Sequence, residues 1–148
     1  MDIYFSGSIS GGREDAALYA EIVVFLREAG HAVVAGEVAS AALHASGESG
    51  SDQDIFERDL RWLGEIALAG GVLVAEVSRP SLGVGYEIAA ARYRFGIPVV
   101  CLYRDAHTRR CSAMIAGDPG IQLIRYRDDD RAAMKRDLAA AIASLAGE

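Results

Sequence analysis

The chain has 148 residues, of which 51% are apolar and 24% charged, with a formal net charge of -6. This length and composition predict one folded domain over residues 1–148 and exclude extended disorder. The acidic balance argues against nucleic-acid polymers and anionic membranes as partners, because both select basic surfaces.

Apolar patterning and turn residues predict an alternation of strands and helices along the chain. In chain order, the predicted elements are strand 3–6, loop 7–12, helix 13–29, strand 31–35, loop 36–50 with a short helix at 39–43, helix 51–69, strand 72–77, loop 78–81, helix 82–95, strand 97–103, short helix 112–116, strand 122–126 and helix 128–146.

The alternation predicts an α/β fold: a single doubly wound, mostly parallel five-stranded sheet with helices on both faces, of the Rossmann or flavodoxin-like kind. Such sheets bind ligands outside the carboxyl ends of their strands. Three loops should therefore meet at one edge of the sheet: 7–13, 78–85 and 105–112.

The sequence gives little support for a metal site or a membrane-spanning segment. Cys101 lies in an apolar run and is expected to be a buried thiol, and no C-x-x-C pair accompanies the three scattered histidines. A zinc site therefore has no support. No apolar run approaches the ~18 residues of a membrane span, so we expect a cytoplasmic protein.

The first candidate binding segment is the glycine-rich loop from Gly7 to Gly12. Glycines permit close backbone approach, and N–H groups at a following helix start can hold an anion. The spacing matches neither the dinucleotide fingerprint nor the P-loop. An ordinary strand-to-helix turn is an equally good interpretation.

The second candidate segment runs from Ser81 to Glu87 and again joins a strand to a helix. Gly83 and Gly85 each cost a helix roughly 1 kcal/mol relative to alanine, which close approach of a ligand would offset. Ser81 suits either a helix cap or a phosphate. The helix dipole favours ionised Glu87, as a nucleophile requires, although an exposed helix acid is the plainer interpretation.

Asp59 is the second candidate acid, on the predicted helix 51–69. Its position near the apolar edge would raise its pKa and let it donate a proton, whereas Glu57 and Arg58 are expected in solvent. The alternative is a surface salt bridge to Arg58, Arg61 or Arg13. Two carboxyl groups, one ionised as the nucleophile and one protonated as the acid, are the pattern of retaining glycoside cleavage.

Several segments, in the same order, make the chain resemble the 2′-deoxynucleoside 5′-phosphate N-hydrolases, which belong with the nucleoside 2-deoxyribosyltransferases. They are Tyr4-Phe5-Ser6-Gly7-Ser8-Ile9, Gly11-Gly12-Arg13-Glu14-Asp15, Asp59-Leu60, Val74-Ala75-Glu76-Val77, Pro80-Ser81-Leu82-Gly83-Val84-Gly85-Tyr86-Glu87 and Ser112-Ala113-Met114-Ile115.

The resemblance implies a role for each matched residue. Glu87 matches the nucleophile that forms a covalent deoxyribosyl intermediate, Asp59 the acid that assists departure of the base, and Tyr4 the tyrosine that helps place nucleophile and sugar. Ser112 and Met114 match residues that the family supplies from the neighbouring subunit of a homodimer. The family residues that line the sugar and 5′-phosphate site correspond here to Gly7, Ser8, Ile9, Gly11, Ser81 and Gly83.

Ser10 departs from the family pattern, which usually has arginine in this position. That arginine would give a charge-assisted bond to phosphate, commonly worth ~1.5–3 kcal/mol. Ser10 can still donate a hydrogen bond to phosphate, and Arg13 and Arg79 are candidates to replace the charge.

The leading hypothesis is hydrolysis of 2′-deoxynucleoside 5′-monophosphates to free base and 2-deoxyribose 5-phosphate, with no metal or organic cofactor. Base exchange on deoxynucleosides through the same intermediate is a second enzymatic hypothesis. A non-catalytic nucleotide-binding module is the third; the pairing of Glu87 with Asp59 disfavours it, since binding alone needs neither acid.

Overall fold

The computed structural model describes residues 1–9, 15–36, 50–105 and 110–147. Over these residues strands and helices alternate as predicted. The elements are β1 (Asp2–Ser6), α1 (Ala16–Glu28), β2 (Ala32–Val34), α2 (Asp52–Leu68), β3 (Val72–Glu76), α3 (Leu82–Ala89), a π-helical segment (Ala90–Phe95), β4 (Val99–Arg104), α4 (Ala113–Ala116), β5 (Ile121–Tyr126) and α5 (Arg131–Ala146).

The five strands form one parallel sheet in the order β2-β1-β3-β4-β5. This confirms the predicted α/β fold class. The order reverses direction between β1 and β3, where Ser6 pairs with Ala75. In open parallel sheets the crevice at such a switch point is the usual ligand site.

Side chains alternate between the two faces of the sheet, and each face has its own apolar core. Ile3 and Phe5 face the layer formed by α1 and α5. Tyr4 faces the opposite layer, in which Leu63 of α2 and Ile88 of α3 are buried. The buried thiol of Cys101 belongs to this second core, as expected. Helices therefore cover both faces of the sheet, which buries the nearly continuous apolar strands β3 and β4.

Local sequence signals fix the ends of several helices. The Ser51 side chain accepts a hydrogen bond from the backbone of Asp54, and the Asp54 side chain accepts one from the Ser51 backbone, which completes a capping box. Gly96 ends the long helical stretch in the left-handed region, at φ 66°. A side chain bearing Cβ would be strained there.

The predicted helix 82–95 is only partly correct. An α-helix ends at Ala89, and the six residues from Ala90 to Phe95 form wider π turns. Apolar periodicity does not separate the two, because the segment is too short to show whether its turns close with the i→i+5 bonds of a π-helix or the i→i+4 bonds of an α-helix. The strand predicted at 31–35 shortens to Ala32–Val34, and that predicted at 97–103 shifts to Val99–Arg104.

Several sequence predictions lie outside the described residues. They concern Ser10, Gly11 and Arg13, most of the loop 36–50 with its short helix 39–43, and part of the loop 105–112. Within the described ranges, no helix is both long and apolar enough to cross a membrane.

Candidate active site

Glu87 is held by two hydroxyl groups from β1. The Tyr4 hydroxyl donates to Glu87 Oε1 at 2.8 Å, and the Ser6 hydroxyl donates to Oε2. Tyr4 and Ser6 are buried, and Glu87 is half-buried. Glu87 is therefore not the exposed helix acid of the plainer interpretation, since both carboxylate oxygens are engaged by an interior strand.

The strand and the helix bring these groups together for simple reasons. Side chains two apart in a strand share a face, so Tyr4 and Ser6 both point toward the layer containing α3. The Ser81 hydroxyl caps α3 by accepting from the Val84 N–H at 3.3 Å. Glu87 lies in the second turn beyond that cap, above the carboxyl end of β1.

Sequence reasoning missed Ser6. The signal that would have found it is the two-residue spacing from Tyr4, which places both hydroxyls on one face at the end of β1. The family resemblance drew attention only to the tyrosine.

Electrostatics keep Tyr4 a hydrogen-bond donor. Burial raises the pKa of Tyr4 far above its ordinary value, and the negative charges of Glu87 and Asp59 raise it further. Tyr4 therefore keeps its proton throughout the neutral range. The positive end of the α3 dipole favours the ionised form of a carboxyl in its first turns. The arrangement suits a carboxylate nucleophile held by neutral hydroxyls.

Asp59 and Glu87 line one cavity of about 250 Å³ between α2 and α3. Gly83 lines the same cavity, and Asp59 is close enough to Tyr4 to influence its pKa. The structure thus brings together four of the predicted site residues, Tyr4, Asp59, Gly83 and Glu87.

Asp59 forms an ion pair with Arg58, which is the alternative role that the sequence allows for Asp59. The guanidinium of Arg58 lies 2.8 Å from Asp59 Oδ1 and 4.7 Å from the centre of the Trp62 ring. The expectation that Arg58 lies in solvent is wrong, since its side chain is only 22% exposed. A guanidinium can stack on an indole ring and pair with a carboxylate at the same time, which explains why Arg58 is largely buried.

Two aromatic rings stand at the mouth of the same cavity. Phe56 and Tyr86 meet edge to face with 6.1 Å between ring centres, and both are about half exposed. Flat apolar surface beside two carboxyl groups is suited to a heteroaromatic ring.

A larger cavity of about 460 Å³ lies on the other side of the α3 start. Arg79, Ser81, Ser112 and Met114 line it, and most of its remaining wall is apolar. Met114 is 82% exposed. Ser112 and Met114 do not line the cavity that holds Glu87 of their own chain.

The predicted glycine loop is only partly described. Gly7 and Ser8 are buried at the end of β1, and Ile9 is half-buried. Across the described ranges, no group of three or more metal-binding side chains is assembled.

Curated relatives share this sequence over most of its length. The chain is 51% identical to mouse 5-hydroxymethyl-dUMP N-hydrolase over 117 residues, which are 78% of this chain and 64% of that protein. It is 49% identical to the human protein of the same name, with the same two shares. The match thus spans less than two thirds of the mouse and human relatives.

A bacterial relative matches nearly end to end. The putative 2′-deoxynucleoside 5′-phosphate N-hydrolase 1 of Syntrophotalea carbinolica is 43% identical over 126 residues, covering 85% of this chain and 84% of that protein. No family model matches the chain.

Among solved structures, the Clostridium botulinum CMP N-glycosidase is similar to this chain. The TM-score is 0.60 at 16% identity, with 94% of this chain and 99% of that chain covered. At this identity the likeness shows a shared fold. The 43% identity to the Syntrophotalea carbinolica protein, over 84% of that protein, shows that the chain belongs to the family of 2′-deoxynucleoside 5′-phosphate N-hydrolases.

Proposed function

We propose that the chain hydrolyses the N-glycosidic bond of 2′-deoxynucleoside 5′-monophosphates, releasing the base and 2-deoxyribose 5-phosphate. The names of its relatives support the nucleotide substrate and the hydrolytic outcome. The observation that carries the proposal is the Glu87 carboxylate, held by Tyr4 and Ser6 in a cavity shared with Asp59.

In the first half of the reaction, a Glu87 oxygen attacks C1′ and the bond from C1′ to the base breaks. The departing base takes a proton from Asp59, directly or through one water molecule, so Asp59 has to bind that proton while it pairs with Arg58, which by itself favours the carboxylate. The product is a deoxyribosyl ester of Glu87. Two hydroxyl donors on the carboxylate orient it toward the sugar, and orientation of this kind supplies much of a catalytic rate.

In the second half, water attacks C1′ and Glu87 leaves as a carboxylate. Asp59, now deprotonated, accepts a proton from that water. Tyr4 and Ser6 stabilise the charge that returns to Glu87 as the ester breaks. The ion pair with Arg58 fixes the Asp59 carboxylate for this step.

The substrate extends across the start of α3. The base lies against Phe56 and Tyr86, because their exposed rings border the cavity of Glu87. The sugar lies over Gly83, and the 5′-phosphate lies toward Ser81 and the loop that begins at Gly7 and Ser8. Ile9, Ser10 and Gly11 complete that loop in the proposed site.

The proposed enzyme is a homodimer in which Ser112 and Met114 reach the site of the neighbouring subunit. Three large side chains around the 460 Å³ cavity are strongly exposed: Leu82, Tyr93 and Met114. Apolar side chains clustered at a cavity favour a protein contact. Burial of this surface against a second copy would bring Met114 of each chain toward its partner.

A substrate panel tests the proposed reaction. Purified full-length protein is given deoxynucleotides, ribonucleotides and deoxynucleosides, and release of free base is measured. We expect release from deoxynucleoside monophosphates, and no new nucleoside when a second free base is added. Formation of a new nucleoside would establish base exchange instead, and saturable binding without any product would establish a binding module.

A further inference from the structure

The indole ring of Trp62 contacts one partner of each of the two proposed catalytic acids. Its centre is 6.4 Å from the centre of the Tyr4 ring, with 50° between the ring planes. The guanidinium carbon of Arg58 lies 4.7 Å from the same indole ring. Tyr4 donates a hydrogen bond to Glu87, and Arg58 donates one to Asp59. A single side chain therefore packs against the groups that hold both carboxyls.

On α2, Trp62 restricts the guanidinium that holds Asp59. Arg58 and Trp62 are four residues apart, so their side chains share one face of the helix. The Nε and Nη2 atoms of Arg58 both donate to Asp59 Oδ1, at 3.0 and 2.8 Å. A flat guanidinium that rests on an aromatic face has fewer orientations, so its N–H groups keep their direction toward the carboxylate. Trp62 thus helps to fix the position of the Asp59 carboxyl.

Trp62 also restricts the tyrosine that holds Glu87. Tyr4 is only 4% exposed, and its distance and tilt relative to the indole fall in the range of favourable aromatic pairs. Burial raises the pKa of Tyr4, and the charge of Arg58 acts in the opposite direction, so the guanidinium is near this ring as well. Packing of the indole against the Tyr4 ring keeps the Tyr4 hydroxyl at 2.8 Å from Glu87 Oε1.

Trp62 reaches the two acids only through these neighbours. Among the described residues, those that line the cavity of Glu87 and Asp59 do not include Trp62. Taken with the proposed function, on which this inference rests, we propose that Trp62 is a positioning residue that sets the separation between the nucleophile and the acid. A shift of the indole displaces both carboxyl groups, and a displacement of about 1 Å at reacting groups can cost about 100-fold in rate.

The test measures kcat, KM and thermal unfolding of Trp62→Leu and Trp62→Phe protein with a deoxynucleoside 5′-monophosphate. Trp62→Leu should lower kcat by about 10- to 100-fold with KM little changed, because the indole does not line the described substrate cavity. Trp62→Phe, which keeps an aromatic face, should retain most of the rate. If the leucine variant does not fold, Trp62→Met, with its more adaptable side chain, replaces it in every comparison.

Phe95→Leu is the matched control for loss of a ring from this core. Phe95 is half-buried against the same core as Trp62, and the guanidinium of Arg94 lies 5.2 Å from its ring centre. Phe95→Leu should lower the melting temperature and leave kcat unchanged. An indole that only stabilised the core would give the same result in Trp62→Leu protein, and that outcome overturns the inference.

Double-mutant cycles show whether Trp62 acts through its two neighbours. The loss of kcat caused by Trp62→Leu should be at least about threefold smaller in Tyr4→Phe protein and in Arg58→Gln protein than in wild type. The reason is that each background has already lost one of the contacts through which the indole acts. Losses that multiply independently in both backgrounds overturn the inference.

Fluorescence gives a reading that needs no turnover, because Trp62 is the one tryptophan of the chain. Its emission should change in wavelength or intensity in Arg58→Gln protein, which loses the stacked guanidinium. Arg127→Gln, which breaks an exposed pair with Asp129, should leave the emission unchanged. Unchanged emission in Arg58→Gln protein overturns the inference. If wild-type protein releases no base, the proposed function fails, and the emission still decides whether Trp62 stacks on Arg58.

Discussion

The hydroxyl of Tyr4 lies 2.8 Å from Oε1 of Glu87, although 83 residues separate the two along the chain. Ser6 completes the arrangement by donating to the other carboxylate oxygen. At the switch point of the sheet, two hydroxyl groups from the end of β1 thus hold the carboxylate that α3 carries. The proposed chemistry depends on this contact.

Removal of either hydroxyl should slow the reaction without preventing folding. A hydrogen bond to a charged group is worth about 1.5–3 kcal/mol, so Tyr4→Phe and Ser6→Ala should each lower kcat by about 10- to 100-fold. KM should change little, because the hydroxyls contact the nucleophile. Steady-state kinetics with thermal unfolding as a folding check measures this. Unchanged kcat in both variants would remove Tyr4 and Ser6 from the mechanism.

Gly83 should reveal a conflict between stability and activity. Its φ is not positive, and an added Cβ would meet only Ser81 Oγ, at 3.9 Å. Gly83→Ala should therefore stabilise α3, by up to about 1 kcal/mol. The same methyl group would enter the cavity of Glu87 and Asp59, so kcat/KM should fall by at least about tenfold, a cost of roughly 1.4 kcal/mol.

Gly64 of α2 provides the matched control for that substitution. An added Cβ there would lie 3.6 Å from Phe95, an ordinary contact outside the cavity. Gly64→Ala should raise the melting temperature and leave kcat/KM unchanged. If Gly83→Ala gains stability and keeps full activity, the substrate does not approach the backbone at this position.

Asp15 should make stability depend on pH in a defined direction. Burial acts to raise the pKa of Asp15, but hydrogen bonds from Arg104 and Arg79 together hold it below its ordinary value of 3.8. The folded state therefore favours the carboxylate. This contribution to stability is present above the unfolded pKa and is lost as the pH falls through the folded pKa.

Asp15→Asn should consequently lower the free energy of unfolding by about 1–3 kcal/mol at neutral pH. The difference from wild type should shrink as the pH falls from 3.8 toward the lower pKa of the folded state, where the wild-type carboxyl also becomes protonated. Denaturant unfolding of both proteins between neutral pH and pH 3 measures it. A difference that stays constant over that range would show that the charge of Asp15 contributes nothing.

Subunit complementation tests the shared site. Glu87→Ala protein and a Ser112→Ala, Met114→Glu protein should each be nearly inactive. If Ser112 and Met114 serve the partner, mixed dimers contain one site with both sets intact. An equal mixture that exchanges subunits should regain about a quarter of the sites. No recovery, despite mixed dimers detected by mass spectrometry, would place Ser112 and Met114 in their own subunit's site.

The sequence predicted most of the fold because its signals are local or periodic. Continuous apolar runs identified β3 and β4, and capping residues such as Ser51 and Ser81 marked helix starts. The π-helical segment after Ala89 was not predictable, because six residues are too few for apolar periodicity to separate π turns from α turns.

The site divides in the same way. Glu87 and Asp59 could be named from motif positions, whereas the Ser6 contact and the Asp15–Arg79 pair join residues far apart in the chain. Contacts of that kind depend on strand order and register, which no local pattern encodes. Arg58 was misplaced for a different reason: Trp62 lies only one turn further along α2, and the spacing alone does not show that the guanidinium packs on its ring.

The most direct test of the account is to identify the covalent intermediate. Protein mixed with a deoxynucleoside monophosphate is quenched in acid within the first turnovers, digested and mapped by mass spectrometry. We expect a single deoxyribosyl phosphate adduct on the peptide that contains Glu87, and its absence in Glu87→Gln protein, which should also lose base release. An adduct on another residue, or near-normal turnover by Glu87→Gln protein, would contradict the assignment of Glu87 as the nucleophile.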